Sequence, residues 1–187
     1  MTTIRNFMTE DHRHCDDLFA EAEQAISKKN FDAAKAAFEH FRNAMLAHFN
    51  AEEKTLFPTF EAKTGMSMGP TQVMRMEHAQ IRALMDDASA ALAEGNTDDY
   101  LGQADTLVIM MQQHNMKEEN ILYPMCDQHL AGETPELLAH IEAEHEPSQD
   151  PARGRCALHG AARTIYQNHG NAGYAQGRRE NAAPSLS

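Results

Sequence analysis

The chain has 187 residues, enough for one domain with its own hydrophobic core and without help from disulfides. Its 28 Asp and Glu residues outnumber its 16 Lys and Arg residues, and a net charge of -12 repels nucleic acid and anionic lipid, so we expect neither nucleic acid nor membrane as a partner. The sequence has three cysteines without a CxxC pair, and it shows neither a signal peptide nor a long apolar run. We therefore expect a cytoplasmic protein.

Apolar residues recur at helical spacing along most of the chain, and Gly and Pro are scarce within the long segments, so we predict an all-α protein. The linkers between the predicted helices, KKN, TGMSMG and EGNT, are short enough to make neighbouring helices antiparallel. The sequence therefore predicts an up-down-up-down four-helix bundle. Its helices are expected at about residues 9–28, 31–63, 70–94 and 98–129.

The C-terminal part of the chain has a different character. Thr134 as N-cap and Pro135 at the first helical position predict a short fifth helix. From Pro147 onward, Gly, Pro, Asn and Arg replace large apolar residues, which is typical of a disordered tail. We therefore divide the chain into a bundle domain (residues 1–132), a short extra helix (133–146) and a tail of low order (147–187).

One motif is written twice, 66 positions apart: HFNAEEKTLFP at residues 48–58 and HNMKEENILYP at 114–124. The same offset places Asp11-His12 on Glu77-His78. The chain thus looks like one helical hairpin repeated, and two such hairpins packed about a pseudo-twofold axis form a bundle.

The repeat also sorts the eleven histidines. It relates a first histidine pair, His12 and His48, to a second histidine pair, His78 and His114. The other bundle histidines, His14, His40 and His129, have no histidine counterpart, and we expect them at the surface. Each member of a pair lies about 16 or 17 residues, or roughly 25 Å, from the turn that joins its two helices, so all four can meet in one layer.

The spacing of neighbouring apolar residues predicts that His48 and His114, the second histidine of each pair, face the core, each together with a glutamate. The two stripes are Phe41, Met45, His48, Glu52 and Leu56, and Leu107, Met111, His114, Glu118 and Leu122. A buried carboxylate costs several kcal/mol unless it is paired or coordinated. A metal would compensate the four imidazoles and two carboxylates together. The alternative, a buried hydrogen-bonded network without metal, requires a partner for every donor.

The donor set indicates which metal. Imidazole and carboxylate without thiolate disfavour structural zinc, calcium and magnesium, and favour iron first and manganese second. Pseudo-symmetry suggests two ions, one on each histidine pair, with Glu52 and Glu118 bridging them and with room for a bridging oxygen and an exogenous ligand.

Several residues lie next to the expected ligands in the sequence. Glu53 and Glu119 are rotated by about 100° from the ligand glutamates; they could orient an imidazole, but we expect them to face solvent. Met8 and Met74 are expected to wall an apolar pocket. The hydroxyl of Tyr123 could donate a hydrogen bond at the centre.

Four motifs, DHRHCDDLF, HFNAEEKTLFP, MEHAQIRALM and HNMKEENILYP, make residues 5–130 resemble hemerythrin-like proteins with an HHE cation-binding domain. The resemblance implies a four-helix bundle around two non-haem iron ions with a bridging oxo or hydroxo group, which binds oxygen or a related small molecule. By position it also implies the metal ligands His12, His48, Glu52, His78, His114 and Glu118. Oxygen-carrying hemerythrins have a further histidine where this chain has Met74.

Two functions are compatible with such a centre. The first is a binding protein that senses, stores or buffers oxygen, nitric oxide or iron, with a redox partner that the sequence does not name. The alternative is an enzyme that acts on peroxide or nitrogen oxides, or donates iron for cluster repair. Because no acid-base residue stands clearly outside the ligand set, we favour the first.

Overall fold

The computed structural model describes residues 2–145, with side chains as far as residue 143. This part of the chain contains helices and no strand, which confirms the all-α class. The helices are α1 (Ile4–Ser27), α2 (Phe31–Ala51), α3 (Phe57–Thr64), α4 (Pro70–Glu94), α5 (Thr97–Lys117), α6 (Tyr123–His129) and α7 (Thr134–His145). The predicted tail, residues 147–187, lies outside the described residues.

Helix α1 begins earlier than the predicted start at Thr9. The hydroxyl of Thr3 accepts a hydrogen bond of 3.0 Å from the backbone N–H of Asn6, and Asp127 in α6 accepts one of 2.7 Å from the N–H of Ile4. These bonds satisfy backbone donors that a helix N-terminus otherwise leaves without partners. The Thr3 cap is a local sequence signal for the start of the helix, whereas the Asp127 cap comes from 123 residues away.

The predicted second and fourth helices are each interrupted by a π-helical turn, Glu52–Leu56 between α2 and α3, and Glu118–Leu122 between α5 and α6. The N–H of Phe57 donates to the carbonyl of Glu52, and the N–H of Tyr123 donates to the carbonyl of Glu118. Each acceptor lies five residues before its donor, as a π-helix requires. Pro58 and Pro124 come one residue later, and a proline lacks an N–H and clashes with the carbonyl four residues before it. The wider π-helical turn accommodates the proline. The two turns begin at Glu52 and Glu118, the glutamates of the predicted ligand set.

The helices contact one another in an order that follows the repeat. Helix α1 packs against α2, α4 packs against α5, and further contacts join α2 to α4 and α1 to α6. Helix α7 packs against α2 and the first π-helical turn. None of the helices within residues 2–145 has the length and apolar character needed to cross a lipid bilayer.

Two apolar clusters fill the interior. One contains Phe19, Phe38, Phe41, Met85 and Leu107 among others, and the other contains Ile4, Met8, Phe57, Phe60 and Met74 among others. Along each helix the expected ligands fall between residues of the two clusters: His12, for example, lies between Met8 and Cys15. The polar layer is therefore enclosed by apolar side chains on both sides.

Candidate metal centre

The structure brings all six predicted ligand residues together in the interior. The histidines lie on α1, α2, α4 and α5, and the glutamates are the first residues of the two π-helical turns. No side chain of the six is more than 2 % exposed. By contrast, His40 and His129 are exposed and His14 is half-buried. The repeat therefore separated the clustered histidines from the others.

Within the layer, the imidazoles form the two predicted pairs. The Nε2 atoms of His12 and His48 are 3.0 Å apart, and the ring centroids of His78 and His114 are 4.8 Å apart. Two groups of donor atoms could each hold a metal ion: His12, His48 and Glu118 form one, and Glu52, His78, His114 and Glu118 form the other. Glu118 belongs to both groups.

Each glutamate faces one imidazole from each half of the repeat. Oε2 of Glu118 lies 3.2 Å from Nε2 of His12 and 3.3 Å from Nε2 of His114. Oε2 of Glu52 lies 3.2 Å from Nε2 of His78 and 3.5 Å from Nε2 of His48. Both carboxylates thus lie between the two histidine pairs.

A second layer of carboxylates holds the other side of every imidazole. The prediction that Glu53 and Glu119 face solvent is wrong: they are only 25 % and 29 % exposed, and each accepts a hydrogen bond from a histidine Nδ1. The four contacts are His12 to Glu119 at 2.8 Å, His48 to Asp11 at 3.2 Å, His78 to Glu53 at 2.7 Å and His114 to Glu77 at 3.0 Å. We call Asp11, Glu53, Glu77 and Glu119 the outer carboxylates. The sequence carried one signal for them, because the offset of 66 pairs acid with acid at all four positions.

The protonation of these rings determines what the centre can bind. A neutral imidazole that donates Nδ1–H to a carboxylate presents a lone pair at Nε2. The Nε2 atoms of His12 and His48, 3.0 Å apart, would then repel each other unless a cation lies between or beside them. Such a carboxylate–histidine arrangement is the one that proteins use to orient metal-ligating imidazoles.

Several buried polar atoms of the layer have no hydrogen-bond partner within the part of the chain that the structure describes. They are Glu52 Oε2, His78 Nε2, His114 Nε2 and Glu118 Oε1. Glu52 Oε2 and His78 Nε2 lie 3.2 Å apart, close enough for an ion pair but without a hydrogen bond between them. Each unsatisfied buried group costs about 1–3 kcal/mol, and a coordinated cation would compensate these atoms together. The residues present therefore fit a metal ion.

The electrostatics of the layer favour positive charge. Burial lowers the pKa of His12, but interactions with Glu118 and Glu119 outweigh burial and raise it to about 10. Burial also lowers the pKa of His78, but interactions with Glu118, Glu52 and Glu53 outweigh burial and raise it to about 10. Although burial alone would raise the pKa of Glu118, the surrounding imidazoles hold it well below its usual range. Without metal, His12 and His78 therefore take up protons, whereas burial, together with repulsion from His78, lowers the pKa of His114.

Tyr123, the first residue of α6, reaches into the centre. Its hydroxyl lies 2.8 Å from Glu52 Oε1, 3.0 Å from Glu118 Oε2 and 3.2 Å from His12 Nε2, and it can donate to one of them at a time. Burial and the two carboxylates raise the pKa of Tyr123 well above its usual range, so the group remains a donor. Its counterpart in the repeat, Phe57, has no hydroxyl and stacks on His78.

Comparison with known proteins bears on this centre. No curated protein and no solved structure matches the chain. A family model, described as the hemerythrin HHE cation-binding domain, matches residues 3–126, which include all six residues of the layer and the four outer carboxylates. This match covers well over half of the chain and confirms the resemblance seen in the motifs. The chain therefore belongs to the hemerythrin HHE cation-binding domain family.

Proposed function

We propose that the protein binds two non-haem iron ions and, through them, oxygen or a related small molecule such as nitric oxide, for sensing, storage or buffering rather than for catalytic turnover. The observation that carries this proposal is the buried layer of four imidazoles and two carboxylates, in which four polar atoms have no hydrogen-bond partner among residues 2–145. Membership of a cation-binding family agrees with it.

The choice of iron rests on the donor types. Histidine nitrogen and carboxylate oxygen without thiolate suit iron well, with manganese as the second choice. Cys15 and Cys126 are buried but belong to neither donor group. In this proposal each histidine pair holds one ion, and Glu52 and Glu118 bridge the two ions. The reason is that each glutamate faces one imidazole of the first pair and one imidazole of the second pair.

The rest of the chain would position and shield the centre. The outer carboxylates fix the tautomer and orientation of each ring, and the two apolar clusters keep water from the layer. We propose that α1, α2 with α3, α4, and α5 with α6 form the up-down-up-down bundle, since the short connections and the observed contacts suit it. When bound, ferrous ions would supply electrons and open coordination positions to the small molecule.

The test is anaerobic loading with Fe²⁺, followed by iron quantitation and visible spectra during exposure to oxygen, nitric oxide and peroxide. We expect about two irons per chain and a spectral change that reverses when the gas is removed. Steady consumption of peroxide or of a nitrogen oxide would favour the enzyme instead. His48→Ala should lose about one of the two irons, while His40→Ala, which changes an exposed histidine of the same helix, should retain both and serves as the control.

A further inference from the structure

The two halves of the centre differ in charge at positions that the repeat relates. The offset of 66 pairs every ligand and every outer carboxylate with a residue of the same chemical type. Two of the charge differences concern residues that interact with the outer carboxylates: Arg82 corresponds to Asp16, and Lys117 corresponds to Ala51. Both cations stand on the side of the second histidine pair.

The two cations bind the outer carboxylates of that side directly. Arg82 donates to Glu53 Oε1 over 2.8 Å, and its guanidinium carbon lies 5.1 Å above the ring of Phe49, which stacks on His78. Lys117 donates to Glu77, the carboxylate that accepts the Nδ1 hydrogen bond of His114. Both carboxylates behind the second histidine pair are therefore neutralised by a neighbouring cation.

The side of the first histidine pair has the opposite charge at the equivalent places. Asp16 lies close enough to Asp17 and Glu119 to interact with both carboxylates: burial raises its pKa, His12 lowers it, and repulsion from Asp17 and Glu119 raises it further. A carboxylate thus stands near Glu119 where the other side has a guanidinium near Glu53. At the position equivalent to Lys117, alanine supplies no charge.

We propose that the two metal positions differ in affinity: the first histidine pair takes the first divalent ion, and Arg82 and Lys117 weaken binding at the second pair. This inference rests on the proposed two-metal function. Two effects have the same sign. A cation near the site repels a metal ion, and a carboxylate already neutralised by a cation draws the Nδ1 proton less strongly, which leaves its imidazole a weaker ligand.

A titration of the full, metal-free chain with Zn²⁺, a redox-inert probe, tests the order of filling. Calorimetry gives the two affinities, and nitrogen NMR of the histidine rings shows which imidazoles bind. We expect the rings of His12 and His48 to shift during the first equivalent and those of His78 and His114 during the second, with affinities at least about tenfold apart. Simultaneous shifts, or the reverse order, would overturn the proposal.

Substitution of the cations tests the cause. Arg82→Gln and Lys117→Gln should each tighten the second position and reduce the affinity ratio by about tenfold. Lys63→Gln removes a cation whose ion-pair partner is the exposed Glu133, and should leave the ratio unchanged. If Lys117→Gln and Arg82→Gln give the same ratio as Lys63→Gln, the asymmetry does not come from these residues. Fewer than two bound ions would refute the proposed function itself, whereas two ions of equal affinity refute only this inference.

Discussion

Glu53 and Glu119 lie 66 residues apart and perform the same task in opposite halves of the protein, accepting hydrogen bonds of 2.7 Å and 2.8 Å from Nδ1 of His78 and His12. Each therefore acts across helices, on a ring that it does not neighbour in sequence. The internal repeat thus extends beyond the residues of the central layer to the groups that orient them.

We predict that Glu119→Gln lowers metal affinity about 10- to 100-fold, because the neutral amide holds the His12 ring less firmly and leaves Nε2 less basic. Competition with a chelator of known affinity for Fe²⁺ or Zn²⁺ measures the change. Glu94→Gln removes the same charge from an exposed position at the end of α4 and serves as the control. Equal affinity in the two variants would show that Glu119 has only a structural part.

Much of this centre was predictable from the sequence, because a repeat of fixed offset constrains four helices at once. The all-α class and the family are confirmed, and the four related histidines lie in one buried layer as the spacing predicted. Periodicity works here because helical rise and turn are regular between His12 and its counterparts. Metal ligation by the six residues stays a prediction.

The orientation of Glu119 was not predictable, for two physical reasons. A rotation of about 100° between neighbouring residues holds only in an unbroken α-helix, whereas a π-helical turn begins at Glu118. Moreover, its partner His12 lies on another helix, 107 residues away. The cap of α1 by Asp127 escaped prediction for the same second reason, since local sequence patterns do not encode contacts between distant segments.

We predict that the stability of the metal-free protein falls as pH rises from about 6.5 to about 10. In the folded state His12 and His78 have pKa values raised to about 10. The stabilisation from their protonated forms is fully present below about pH 6.5, the value in the unfolded chain, and is lost as pH rises through the folded value. Urea unfolding followed by circular dichroism at a series of pH values measures the free energy.

Two comparisons make this pH prediction specific to the central layer. Metal-free His12→Gln should show a shallower decline over the same range, because one of the two raised groups is gone. The metal-loaded protein should show no such decline in the free energy of unfolding, because the metal ion replaces the protons on the imidazoles. A free energy of unfolding that rises between pH 6.5 and pH 9 in the metal-free protein would contradict the assignment.

We predict that deletion of residues 147–187 leaves metal content and helical content per chain essentially unchanged. The six residues of the central layer and the four outer carboxylates all lie between Asp11 and Glu119. Helix α7 contacts the first π-helical turn and is retained in the shortened chain. Metal analysis and circular dichroism before and after truncation check this, and loss of metal would assign the tail a part in closing the centre.

The last prediction concerns whether Glu52 and Glu118 bridge two ions. If they do, Glu118→Ala and Glu52→Ala should each lower iron from about two per chain toward zero, whereas a single substitution such as His12→Ala should leave about one. The geometry is the reason: Glu118 Oε2 lies 3.2 Å from Nε2 of His12 and 3.3 Å from Nε2 of His114, so its removal takes a ligand from both positions.

Loss of one carboxylate also leaves excess positive charge in a buried, poorly screened layer, which further weakens binding of the second ion. Iron quantitation after desalting, with circular dichroism to verify that each variant is folded, measures the effect. Suppose instead that Glu52→Ala retained one tightly bound iron and Glu118→Ala retained the other. Each carboxylate would then serve one ion alone, the two positions would be independent sites, and the bridged arrangement would have to be abandoned.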